Sequence, residues 1–330
     1  MEKRIDVVCM GILVADIFTS PIDRIPKPGQ LASADEIFLS GGGHAHNTPI
    51  SLARLGTKVA VMGKVGNDPF GDFLIEDLKK EGVDTSKIAI SNRYGTSKTM
   101  VILTSGKDRR FIYTAGANAD FGIEDIDYEY LKQAKVLYIG GYGVLPKLDE
   151  DSLVKVLKFA KENDIITLLD VVIPHTESNW INKCKKALKF TDFFLPNNDE
   201  AKIITGKTEP EEQAKQLLKY NPEITVIITM GGNGSLVRTK DKIIRASSYK
   251  IEVVDGSGGG DAFSAGLIFG LMNNWSLTDT LKLASAMGAS AVRKIGTTPG
   301  VFTREEATSF IQNNQIKITH SKAQAFFSRY

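Results

Sequence analysis

The chain has 330 residues, 42% of them hydrophobic and 24% charged, with a mean hydropathy of −0.10. That balance is of an ordinary globular protein able to bury a large core, and it excludes a disordered or fibrous chain. A net charge of +2 leaves no footprint for nucleic acid or a membrane surface, and two distant cysteines, Cys9 and Cys184, exclude a disulfide framework.

Residues 5–10 form a short aliphatic run that reads as a buried strand, too short for a signal peptide or a membrane span. The expectation is a protein of a reducing cytoplasm. Asp16 follows just beyond this run, at the sheet edge where α/β proteins bind ligands, and one carboxylate accepts from two vicinal hydroxyls. Residues 17–40 then break the pattern with Pro21, Pro26 and Pro28. Ser40-Gly41-Gly42-Gly43-His44-Ala45-His46-Asn47 is a glycine-rich turn into a helix over 44–55, able to present N–H groups and Asn47 to a polyhydroxylated ligand. It also fits a plain capped helix start. His44 and His46, with no adjacent acid, make a weak metal site.

A strand over 59–62 and a helix over 71–81 restore the α/β alternation. Residues 96–113 interrupt it again as a hairpin, 98–104 and 109–113 around Ser105-Gly106-Lys107-Asp108. Strands over 136–139, 165–169, 193–195 and 225–229 follow, with helices over 150–163, 176–188 and 211–219. Such alternation implies a parallel sheet covered on both faces. Residues 236–238 and 243–245 read as an antiparallel addition. After the strand at 193–195, Asn197 and Glu200 are spaced to hold a hydrated Mg2+, or simply to begin a helix. Thr229-Met230-Gly231-Gly232-Asn233-Gly234 is a turn signal.

The richest stretch is Asp255-Gly256-Ser257-Gly258-Gly259-Gly260-Asp261, opening a helix over 261–272. Glycines that turn N–H groups to one point, at the positive end of a helix, make an anion cradle suited to phosphate. A carboxylate there can take the proton of an attacking hydroxyl. The same run also fits a flexible loop with an acid favoured by the dipole. It is neither a Walker A loop nor a dinucleotide fingerprint. A helix over 277–294 follows, and residues 313–330 read equally as a packed helix or a tail.

These motifs, in this order, resemble the ribokinase-like (PfkB) carbohydrate kinase family. Its C-terminal signature is Asp-Thr-x-Gly-Ala-Gly-Asp, with Gly256 and Gly259 here in place of Thr and Ala. Its Gly-Gly-x-x-x-Asn, Asn-x-x-Glu, Thr-Leu-Gly-x-x-Gly and Gly-Ala-Asn stretches are similar to those ending at Asn47, Glu200, Gly234 and Asn118. The resemblance implies a central, mostly parallel sheet flanked by helices, with a small β-sheet lid. The kinase domain would be 1–16, 41–95 and 117–330, and the lid 17–40 and 96–116. Asp261 would be the base, with Gly258, Gly259 and Gly260 as the anion hole. Asp16, Gly42, Gly43, His46, Asn47 and Asn118 would hold the acceptor. Asn197, Thr229, Gly231, Gly234, Asp255 and Ser257 would line ATP, with Mg2+ near Glu200 and Asn197 through water and K+ as a further candidate cation. The implied activity is ATP-dependent phosphorylation of a small sugar or polyol, with a homodimer through the lid. The alternatives are a nucleoside kinase, using Phe18, Phe38, Phe111 and Tyr113 as an aromatic slot, and a sugar-binding regulator without catalysis. His44 where ribokinases carry Lys, no Asn or Arg after Asp170, and no Glu in Gly140-Gly141-Tyr142-Gly143 argue against ribose; the missing Arg also weakens the case for an anionic acceptor.

Overall fold

The computed structural model describes residues 3–104, 110–174 and 180–323. Seven parallel strands run from the middle to one edge of a ten-stranded sheet. They are β1 (Ile5–Gly11), β4 (Val59–Gly66), β5 (Asp84–Ser91), β8 (Ala134–Tyr142), β9 (Ile166–Val171), β10 (Phe193–Phe194) and β11 (Thr225–Thr229). Antiparallel β12 (Ser235–Arg238), β13 (Lys242–Ala246) and β14 (Ile318–Lys322) extend one side. A second sheet joins β2 (Val14–Thr19), β3 (Ile37–Gly42), β6 (Lys98–Ile102) and β7 (Arg110–Thr114) in the order β3-β2-β6-β7. Its β2–β6 pair is parallel and the other two pairs are antiparallel.

The central strands are aliphatic because both faces are covered. Alternate residues divide between two cores. Val8, Met10, Leu137, Ile139 and Leu169 face one. There α4 (Glu150–Glu162), α5 (Asn198–Thr205) and α6 (Pro210–Leu218) pack, with short α3 (Tyr128–Leu131). Val7, Cys9, Val61, Val136 and Tyr138 face the other, under α1 (His44–Arg54), α2 (Pro69–Lys80), α7 (Gly259–Met272), α8 (Leu277–Ala291) and α9 (Arg304–Asn313). Among the described residues, no helix is long and apolar enough to cross a membrane.

Several expectations change. The helix expected over 176–188 is not regular: its described part winds through 3-10 turns at Trp180–Lys183 and Ala187–Phe190. The apolar spacing is real, since Trp180, Cys184, Ala187 and Leu188 are all buried, but i+3 and i+4 hydrogen bonds alternate along it. The helix expected to reach 294 stops at Ala291, because the carbonyl of Val292 turns aside to accept from the N–H groups of Val254 and Asp255. Of the stretch expected as helix or tail from 313, Asn313 ends α9 and the described residues beyond it lead into β14, which pairs along β13. Asp16, expected just past β1, lies inside the next strand, β2. The expected hairpin turn at Ser105 to Asp108 lies outside the described residues.

Candidate active site

The carboxyl ends of β1, β8 and β9 and the start of α7 converge. Gly258 caps α7 in the left-handed region, at φ 73°. An added Cβ there would come within 2.1 Å of the Thr297 carbonyl oxygen, so both conformation and space demand glycine. The first α-helical bond is Ala262 N–H to Gly258 O. Helix geometry therefore leaves the N–H groups of Gly259, Gly260 and Asp261 without intrahelical acceptors, pointing out at the dipole's positive end. Asp255 shapes the preceding loop: its carboxylate accepts from Ser257 N and Oγ at 3.0 and 2.9 Å, and from Gly296 N at 3.0 Å.

Asp261, in the first turn of α7, has a side chain 13% exposed. Its Oδ2 accepts from Asn47 Nδ2 at 2.8 Å. Its Oδ1 faces His44 Nε2 at 3.8 Å. Burial disfavours the imidazolium of His44, but Asp261, Asp170 and Glu200 outweigh it and the pKa is raised. Asp170 is buried at the end of β9 and accepts from Tyr138 Oη at 2.9 Å. Burial pushes it up to about 6, against the pull of His44. On β2, Asp16 lies so close to the backbone of Gly42 that a Cβ there would be 2.0 Å from Asp16 Oδ2. Burial also pushes Asp16 up to about 6; Thr99 and His46 oppose the rise, while Asp261 and Asp255 add to it. Thr297 Oγ1 donates to Gly41 O at 2.7 Å, which ties the two glycine-rich turns together.

Beside the glycine loop runs a cleft of about 530 Å³, lined by Thr229, Gly231, Gly234, Gly256, Gly259, Gly260 and the apolar Phe263 and Val292.

Three residues expected to touch ligand are engaged elsewhere. His46 is fully buried, with Nδ1 3.1 Å from Asn47 Oδ1 and Nε2 3.1 Å from Asp77 Oδ2, so both ring nitrogens are engaged within the protein. The buried Asn118 spends its amide on the backbone of Leu13, donating to O at 2.9 Å and accepting from N at 3.1 Å; it braces the β1–β2 connection. Asn197 caps α5, its Oδ1 accepting from the N–H groups of Asp199 and Glu200, and both lone pairs are then used. It has none left for a cation. Glu200 Oε2 completes the capping box on Asn197 N. Burial and the Asp170 charge push Glu200 up to about 8. A carboxylate whose charge the protein under-compensates suits a hydrated cation, so Glu200 fits Mg2+ and Asn197 does not. Among the described residues no cluster of three or more His, Cys, Asp or Glu is placed to hold a metal ion. Phe18 and Phe38 stack on each other, centroids 5.3 Å apart, and leave no open aromatic slot between them. Sequence reasoning missed His44 as a neighbour of Asp261; its signal was a basic residue at the first position of a helix beginning beneath the glycine loop.

A carboxylate among unpaired helix-start N–H groups is what moving a phosphoryl group onto a hydroxyl requires, and fold and site together describe a small-molecule kinase. The chain matches the model of the pfkB family carbohydrate kinases over residues 4–304, and it belongs to that family. It is 30% identical over 328 residues to the 5-dehydro-2-deoxygluconokinase of Clostridium perfringens, covering 95% of each chain. Its fold matches Arabidopsis thaliana ribokinase complexed with ribose and ATP, at a TM-score of 0.82 and 24% identity over 94% of this chain and 99% of that one. It also matches an E. coli structure titled ribokinase II in complex with ATP and Mg2+, at a TM-score of 0.79 and 23% identity over 94% and 99%. The chain is an ATP-dependent carbohydrate kinase, a phosphotransferase with an alcohol acceptor.

Proposed function

We propose that the acceptor is a small sugar or polyol held between the second sheet and the glycine loop, with Asp261 as general base. The observation that carries this is the 2.8 Å bond from Asn47 to Asp261, which joins residues 214 apart in sequence at the start of α7. The acceptor hydroxyl donates to the Asp261 carboxylate, which takes its proton as the oxygen attacks phosphorus. The N–H groups of Gly258, Gly259 and Gly260 receive the charge of the phosphoryl oxygens. Asp16 and Asn47 orient the acceptor, with Gly42 and Gly43 allowing its close approach. Thr229, Gly231 and Gly234 lie along the nucleotide, while Asp255 and Ser257 hold the loop that meets it. Mg2+, when bound, neutralises charge between the phosphates. Glu200 is the residue of this chain suited to hold it. K+ is carried only as a cation to test for activation.

A sugar acid is a second reading. It is favoured by His44, whose charged form is supported at the acceptor end by Asp261, Asp170 and Glu200, and by the name of the Clostridium relative. Asp16, Asp170 and Asp261 crowd the same end, which favours a neutral acceptor. A coupled ADP-release assay over neutral sugars, polyols, 5-dehydro-2-deoxygluconate and nucleosides decides between them. Turnover with nucleosides alone would refute both readings.

We also propose the lid boundaries 17–40 and 96–116, and a homodimer through this sheet. Support comes from β7, all five residues of which are exposed, beside exposed Met100 on β6.

A further inference from the structure

The aspartate read above as the base is the end of a longer line. Asp261 Oδ2 accepts from Asn47 Nδ2 at 2.8 Å. Asn47 Oδ1 is 3.1 Å from His46 Nδ1, and His46 Nε2 is 3.1 Å from Asp77 Oδ2. His46 is fully buried and Asn47 3% exposed, while the Asp77 side chain, on α2, is 34% exposed. Four polar side chains thus run from Asp261, through α1, to the outer side of α2. The ring of His46 packs against Gly41 of β3, where a Cβ would lie 2.0 Å from Nε2.

The Asn47 amide sets the hydrogen-bond polarity at its own two ends. An amide has one donating and one accepting end, and only the donating end can serve a carboxylate. With Asn47 Nδ2 on Asp261, Asn47 Oδ1 must meet a donor, and that donor is His46 Nδ1–H. Nε2 lies 3.1 Å from Asp77 Oδ2, with one proton shared between ring and carboxyl. The bond to His46 keeps the Asp77 carboxyl below its ordinary range. If His46 lost the Nδ1 proton, its lone pair would face Asn47 Oδ1. The amide would turn over and set its oxygen against Asp261, acceptor against acceptor.

We propose that His46 and Asp77 are positioning residues for phosphoryl transfer, fixing the Asn47 amide so that Asp261 keeps Oδ1 for the acceptor hydroxyl. The inference rests on Asp261 being the base. It assigns His46 a place behind the site, where the glycine-rich turn alone had suggested substrate contact.

Two substitutions at one position test it. His46→Asn puts an amide N–H near the place of Nδ1 and keeps a donor for Asn47. His46→Gln puts its amide near Nε2, reaches Asp77 and leaves Asn47 without its donor. The expected result is a fall in kcat on the order of 10- to 100-fold for His46→Gln, the scale of a misplaced reacting group, with the KM for ATP within about twofold. His46→Asn recovers most of that loss. Asp77→Asn, at a partly exposed site, lowers kcat in the same direction while Tm stays at the wild-type value. Equal losses in both His46 variants, or losses that track Tm, would overturn the proposal and leave His46 as core filling; so would wild-type kcat in His46→Gln. Asp261→Asn separates the two levels. If it stays active, the base assignment fails first. If it is inactive while His46→Gln is not, only the relay fails.

Discussion

Asp261 and Asp16 are both acids at the same edge, and they should respond differently to substitution and to pH. Asp261→Asn is nearly isosteric and keeps the helix start and the glycine cradle, so ATP binding should stay within a few-fold of wild type. It removes the acceptor of the hydroxyl proton, and general-base catalysis is worth ~10²–10⁴-fold, so kcat should fall by at least ~10³ once misorientation is added. Single-turnover kinetics with the identified acceptor checks this; retention of about a tenth of kcat would remove the base assignment. Asp16 should act on KM. Its carboxyl is pushed up to about 6 by burial. Above that pH it is ionised and accepts from the acceptor's hydroxyls, and as pH falls through about 6 the KM of the acceptor should rise. The sign for stability is opposite to that of an ion-paired acid. Burying the ionised form costs stability above the folded pKa, and the cost is relieved as pH falls toward the unfolded value. Asp16→Asn should therefore flatten the KM profile and raise the apo Tm more at about pH 8 than at about pH 5. A KM that keeps its acid limb in the variant would assign the titration elsewhere. Residue type and position were enough to single out Asp16, Asn47 and Asp261 in the sequence, and the structure bonds Asn47 to Asp261 and sets Asp16 within reach of the Asp261 charge. His46, Asn118 and Asn197 make bonds to Asp77, Leu13 and Glu200 that spacing alone does not reveal.

The elements that matter most are two helix starts. At α7, Gly258 combines a φ of 73° with a Cβ path blocked by the Thr297 carbonyl. The left-handed conformation alone costs a side chain about 1–2 kcal/mol. Gly258→Ala should lower Tm and shift the loop that aims the N–H groups, reducing kcat more than it changes the KM of the acceptor. Thermal denaturation alongside steady-state kinetics measures both; a variant with unchanged Tm and kcat would show that the loop is not pinned. At α5, Glu200→Gln keeps an oxygen for Asn197 N and so should keep the capping box. It removes the charge suited to Mg2+. Activity at limiting Mg2+ should fall and be partly restored by raising Mg2+, and wild-type activity at low Mg2+ would leave Glu200 as a cap alone. The sequence showed these starts plainly, because glycine runs and capping residues are local signals. It did not show β14, α9 or the irregular path after Trp180. The strand β14 exists because β13 offers it an edge, and the turns after Trp180 bury an apolar spacing that a regular helix would share.

Across the whole molecule, the order of motifs made the architecture readable: a run of strand and helix signals prescribes a parallel sheet, and two interruptions prescribe a second one. What the order could not supply was the register that ties them, such as Thr297 on Gly41 or Arg54 Nη1 on the Thr298 carbonyl at 2.7 Å. The second sheet also carries the proposal with the widest consequence. Its outer strand β7 is an edge strand, and it presents Phe111, Ile112 and Tyr113 at 58%, 63% and 45% exposure. Ile37 on β3 and Met100 on β6 are exposed as well, at 67% and 44%. Open apolar edges invite pairing, and a second copy presents the same surface in a self-complementary way. If that is its occupant, Ile112→Glu buries a charge in the dimer but meets only solvent in the monomer. Sedimentation should then show a dimer for the wild type and a monomer for the variant, with the Tm of the fold nearly unchanged, because Ile112 contributes little to the core. Since β2 carries Asp16 in the same sheet, the monomeric variant should bind its acceptor more weakly while ATP binding is kept. A wild type that sediments as a monomer at every concentration would remove the dimer and leave β7 as an exposed strand.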